Sequence, residues 1–230
     1  MVTERSKIAF IHATRLAIDP IEVTAKRLWP EVRTVSLLDD SLESDLKEAG
    51  NLTETLHSRI ADLTDYACTL NVDGILFTCS SFGDAIEEVA QRAPLPVLKP
   101  NEAMFRNALS GGARIAMIYT FEPAVSGMEA EFGRLAKEFG STASLTSVFC
   151  ANALDAKQSG DVAEHDRLIR ECGRRLSGFD VILLAQFSMA SAAEGMHQTT
   201  KTPVLTSPEA ALTDLRNRVE ILQQKAAQSC

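Results

Sequence analysis

Short apolar runs rich in branched residues alternate along the chain with longer stretches whose apolar positions recur at helical spacing. The short runs read as buried strands and the longer stretches as amphipathic helices. Their alternation is the signal of βαβ units, in which a parallel sheet is covered by helices on both faces. The pattern predicts strands at 7–12, 33–37, 74–78 and 97–98, and helices at 21–28, 53–70, 84–92 and 101–109. Thr53 is placed to cap the second helix, Pro94 and Pro96 bracket the start of the fourth strand, and 41–52 reads as a polar loop. After Ser110-Gly111-Gly112 the order restarts, with strands at 114–119, 145–149, 181–185 and 204–205. Helices follow at 126–139 and 164–176, and a long one starts at Glu209.

This restart is a repeat in register, at an offset of 107 residues, from Asp73 to Asp180. Ile75, Leu76, Ser81, Ala85, Glu87 and Gln91 match Ile182, Leu183, Ser188, Ala192, Glu194 and Gln198. Further on, Pro96-Val97-Leu98 matches Pro203-Val204-Leu205, and Lys7-Ile8-Ala9 falls beside Arg114-Ile115-Ala116. Any two βαβ units share strand composition, but register kept across separated blocks, polar matches included, points to internal duplication. The expected fold is α/β: two pseudo-symmetric halves, each a four-stranded parallel sheet flanked by helices, with a cleft between them. The halves are expected at 1–110 and 111–230, with the C-terminal helix open to packing back on the first. In open parallel sheets ligands bind beyond the carboxyl ends of the strands, which is where functional side chains are sought.

The most informative strand end is Gly74-Ile-Leu-Phe-Thr-Cys-Ser-Ser-Phe-Gly83, an apolar run that finishes in a thiol, hydroxyls and a glycine before a helix. A free cysteine is often only a small buried hydrophobe, the reading that suits Cys68 and Cys172 on helices. Cys79 sits instead where helix-start N–H groups favour a thiolate, able to act as base or nucleophile. The repeat puts Gln186 at the matching place. Its amide can donate and accept hydrogen bonds but cannot exchange a proton at neutral pH. Other polar groups expected at strand ends are His12, Thr78, Ser80, Ser81 and Asn101 in the first half, and Tyr119, Thr120, Ser188 and Thr206 in the second. His12 is either an acid–base partner of Cys79 or a satisfied strand-end histidine. His165 reads as solvated, and Asp39-Asp40 as turn-capping carboxylates rather than metal ligands.

Composition narrows the partners. The chain has 230 residues, 45% of them hydrophobic, enough for a full core, and 23 basic against 31 acidic residues leave a net charge of −8. That balance argues against nucleic acid or an anionic membrane and for a small molecule. The first residues are polar, no run is long enough for a membrane span, and five scattered cysteines (Cys68, Cys79, Cys150, Cys172, Cys230) form no CxxC pair, so reduced thiols in a cytoplasm are expected. No dinucleotide or phosphate-loop fingerprint is found, so the expected cofactor and metal complement is none.

The duplicated halves, the segment around Cys79 and the segment 181–190 resemble the aspartate/glutamate racemase superfamily, which includes hydantoin racemases, maleate isomerases and arylmalonate decarboxylases. The resemblance implies cofactor-free proton transfer at the α-carbon of a small carboxylate, between two cysteines, one from each half, and a homo-oligomer. Cys79 carries over as the first thiol, whereas Gln186 occupies the place of the second. A single-thiol isomerase or lyase is therefore expected, with a non-catalytic small-carboxylate-binding protein on the same fold as the alternative.

Overall fold

In a computed structural model that describes residues 5–228, the chain forms two four-stranded, all-parallel sheets. The first contains β1 (Lys7–His12), β2 (Arg33–Leu38), β3 (Gly74–Phe77) and β4 (Val97–Leu98) in the order β2-β1-β3-β4. The second contains β5 (Arg114–Tyr119), β6 (Ser144–Phe149), β7 (Val181–Leu184) and β8 (Val204–Thr206) in the order β6-β5-β7-β8. Around them run helices α1 (Ile18–Leu28), α2 (Leu42–Ala49), α3 (Glu54–Thr69), α4 (Gly83–Arg92), α5 (Glu102–Gly111), α6 (Val125–Glu138), α7 (Ala153–Gln158), α8 (Val162–Arg174), α9 (Ala193–His197) and α10 (Ser207–Gln228). Of the five cysteines, Cys230 lies outside the described residues.

Two local differences from the sequence pattern have plain causes. The segment read as a polar loop holds α2, which hides only Leu42 and Leu46, two apolar residues one turn apart. Helix α1 starts at Ile18, ahead of Pro20, because a proline in the first turn forfeits no intrahelical hydrogen bond.

The repeat is carried by matched main-chain bonds. Asp73 accepts the N–H of Lys7 at 2.7 Å and Asp180 that of Arg114 at 2.8 Å, so each aspartate anchors the start of its central strand. Ser36 on β2 donates to Glu22 of α1, and Ser147 on β6 to Glu129 of α6. Strand pairing sets Lys7 beside Arg33 and Arg114 beside Ser144, so β6 comes four residues late relative to the 107-residue offset, which is regained by β7.

Each sheet buries both faces. One face of the first sheet, Ala9, Ile11, Ile75 and Phe77, packs with Leu42, Leu46, Leu56, Ile60 and Ile86 from α2, α3 and α4. At its other face a Cβ on Gly74 would stand 2.8 Å from Leu215 and 3.2 Å from Val219, so it is α10 that lies against β3 there. Arg216 fastens this helix by donating to Leu28 O at 2.8 Å. In the second sheet Ile115, Met117, Val181 and Leu183 pack with Met104 and Phe105 of α5 and with Met128 and Phe132 of α6. Its opposite face, with Ala116, Ile118, Ile182 and Leu184, packs with Ile169 and Met196 from α8 and α9. The chain thus divides into two compact units, one formed by the residues up to Pro100 together with those from Ala211 on, the other by Asn101–Ala210. Among the described residues no helix is long and apolar enough to cross a membrane.

Candidate active site

Strand β3 is buried throughout and delivers Cys79 to the residue just before a one-turn 3-10 segment, Ser80–Phe82, which leads into α4. Cys79 is 8% exposed. Its thiol donates to Oε1 of Glu43 across 3.4 Å. Glu43 is half-buried because its neighbours Leu42 and Leu46 pin α2 to the core, and burial pushes its carboxyl above the usual carboxylate range while the thiol bond holds it down. The Cys79 thiol is itself pushed far up, first by burial and then by the Glu43 charge. The Ser81 amide and hydroxyl oppose this more weakly. Burial thus works against the expected turn-stabilised thiolate, and the thiol rests on a carboxyl group. The Ser81 oxygen is buried and makes no complete hydrogen bond among the described residues.

His12, fully buried at the end of β1, is tied by both ring nitrogens. Nδ1 lies 2.8 Å from Thr78 Oγ1 and Nε2 3.2 Å from Ser36 Oγ. Burial pushes its pKa down to about 4, so the ring is neutral at neutral pH. Of the two readings of His12, this geometry fits the satisfied strand-end histidine, since its hydrogen bonds go to hydroxyls and not to the sulfur. Asp39 caps its own turn through Ser41 and binds Arg59, while Asp40 pairs with Arg15 at 2.6 Å. Ser80 is half-buried beside Cys79.

In the second unit Gln186 stands before the 3-10 segment Phe187–Ala192, as Cys79 stands before its own. Its Oε1 accepts the Thr120 N–H at 2.9 Å and lies 3.4 Å from Thr120 Oγ1, whereas Nε2 is buried without a partner among the described residues. Ser188 is buried, and Thr206 Oγ1 is 3.4 Å from Glu209. Asn101, fully buried, has its Oδ1 2.6 Å from the Ser207 hydroxyl, with Nδ2 unpartnered among the described residues. Tyr119 stacks at a tilt on Phe149, ring centroids 5.4 Å apart. His165 is not solvated: it is 1% exposed and its Nδ1 is 2.7 Å from Asp166. Cys150 lies in the core with Cys172 packed against it, and this neighbouring thiol together with burial raises the Cys150 thiol. No cluster of three or more metal-binding side chains occurs among the described residues.

The structure thus brings Cys79 together with Glu43 and Ser81, His12 with Thr78, and Gln186 with Thr120. The group that sequence reasoning missed is Glu43. Its one signal is the Leu42/Leu46 spacing of a single buried turn, too short to stand out against polar neighbours.

A family model described as Asp/Glu/Hydantoin racemase matches residues 30–215. No curated protein matches the sequence. Among solved structures, glutamate racemase from Thermus thermophilus superimposes with a TM-score of 0.71 at 13% identity, covering 95% of this chain and 82% of that one. Allantoin racemase from Klebsiella pneumoniae gives 0.66 at 15% identity, covering 94% and 88%. An arylmalonate decarboxylase variant in a liganded form gives 0.63 at 16%, covering 93% and 92%. At these identities the likeness to the solved structures is one of fold.

Proposed function

The chain belongs to the Asp/Glu/hydantoin racemase family, and from that premise we propose that it is a cofactor-independent isomerase or lyase acting at the α-carbon of a small carboxylate or related carbon acid through one thiol, that of Cys79. The observation that carries this reading is the inequality of two matched turns: Cys79 follows β3, and Gln186 follows β7. An amide holds no proton that it can give up or take at neutral pH. Racemisation between two thiols is therefore replaced by chemistry that needs one: decarboxylation, elimination or isomerisation.

In such a reaction the C–H or C–CO2 bond at the α-carbon breaks, its electron pair enters an enolate, and the sulfur takes or returns a proton. The enolate needs donors fixed in advance where its charge develops, usually the largest contribution to carbanion stabilisation. The Gln186 amide carries a buried nitrogen without a partner among the described residues. A buried polar atom left unsatisfied is costly, and binding a carboxylate would remove that cost.

The test is proton NMR in deuterium oxide with aspartate, glutamate, allantoin, substituted malonates and maleate, comparing the wild type with Cys79→Ala. Exchange, carbon dioxide loss or isomerisation that disappears in the variant is the expected result. Full turnover in the variant would refute the assignment of Cys79. A wild type inert to the whole panel, whose Cys79 is nevertheless shielded from alkylation by one of these compounds, would point to the binding protein instead.

A further inference from the structure

We propose that Glu43 is a second catalytic group of this site: it takes the Cys79 proton and so generates the thiolate, which makes the reacting unit a thiol–carboxyl pair contained in one half of the molecule. The inference rests on the single-thiol reading above and adds to it the source of the sulfur's reactivity.

A buried thiol alone is a poor base, because the thiolate it must become is penalised by desolvation. Here the same burial sets a carboxyl group beside the sulfur, where it can accept the proton. Sγ and Oε1 are 3.4 Å apart, with the thiol as donor. Burial pushes this carboxyl up, and its bond to Cys79 draws it back down. Nearby, Arg59 of α3 binds both Asp39, in the turn before α2, and Asp45 of α2. His12 is excluded as the acceptor by its bonds to Thr78 and Ser36.

The proton balance is closed. The S–H bond breaks as the Glu43 O–H bond forms, and the thiolate then removes the substrate proton, breaking C–H and remaking S–H while the electron pair enters the enolate. The excess proton rests on Glu43, where it exchanges with solvent. Return of a proton through the same sulfur delivers it to the face from which it left.

The experiment needs no substrate. Iodoacetamide is reacted with wild type, Glu43→Gln and Glu43→Asp between pH 5 and 10, and alkylation of the Cys79 peptide is followed by mass spectrometry. A base supplied by Glu43 gives the wild type an acid-side inflection and a plateau near neutrality, and the Gln variant loses both, reacting more slowly at pH 7 by on the order of 100-fold. The Asp variant keeps the inflection at a reduced rate, which preserves the test should the Gln variant not fold. A carboxylate that merely repels the thiolate gives the opposite result, a Gln variant that reacts faster at every pH with a single thiol inflection. That outcome, or a wild-type Cys79 that does not react at pH 7, overturns the proposal. On any panel compound that exchanges, deuterium enters with retention of configuration, and equal inversion also overturns it. Failure here leaves Cys79 as the reacting group, whereas failure of the underlying reading shows separately, as turnover that survives Cys79→Ala.

Discussion

Gln186 Oε1 accepts the main-chain N–H of Thr120 across 2.9 Å, so a side chain from the turn after β7 closes the end of β5. Thr120 is buried, and without this acceptor its N–H has no bond among those described. The bond also orients the amide and leaves Nε2 without a partner among the described residues.

Gln186→Leu should therefore cost about 1–3 kcal/mol in urea unfolding, the typical penalty for a buried donor left unsatisfied. Gln186→Glu, which keeps the acceptor, should lose clearly less at pH 7. Equal losses in the two variants would show that the Thr120 bond does not decide this position.

His12 should make the protein acid-sensitive. Its pKa falls from 6.5 to about 4 on folding because the ring is desolvated, so between these values the unfolded chain binds the extra proton. Stability then rises with pH from about 4 to 6.5 and is flat above, a contribution of up to about 3 kcal/mol. The difference between wild type and His12→Asn, measured by denaturant unfolding at pH 4.5 and pH 7, isolates this group from the carboxyls that titrate nearby. A difference that does not change with pH would refute it.

Glu43 has the opposite sign. Its carboxyl is raised on folding, so the folded chain binds more protons in the window above the unfolded value, and its contribution to stability falls as pH rises through that window. Glu43→Gln should melt at a higher temperature than wild type at pH 7 and lose this advantage at pH 4.

Gly112 admits no side chain. A Cβ there would stand 2.4 Å from Cβ of Asp180, the residue that anchors the start of β5. Gly112→Ala should destabilise by about 1–3 kcal/mol, since two atoms fixed to the backbone cannot both hold their places. A urea midpoint equal to that of the wild type would contradict this.

Much of this architecture is legible in the sequence because the duplicated residues have duplicated tasks. Asp73 and Asp180 stand at matching positions because both hold the N–H that begins a central strand. Strands β2 and β6 escape the repeat, since four residues lie between their registers, although Ser36 and Ser147 make the same bond to Glu22 and Glu129. Cys79 is visible because an apolar strand that ends in a thiol is locally unusual. Glu43 is invisible for a physical reason: it reaches the sulfur through tertiary packing of an eight-residue helix, and no local pattern records that. His165 misleads in the same way, because charged neighbours in sequence surround a ring that the fold conceals.

The assignment of α10 to the first unit separates the order of synthesis from the order of assembly. The second unit is one continuous stretch, Asn101–Ala210, whereas the first draws on residues at both extremes of the described chain. A nascent chain can complete the second unit while β3 still lacks Leu215 and Val219 on one side. The half that carries Cys79 therefore cannot close its core until α10 has been synthesised.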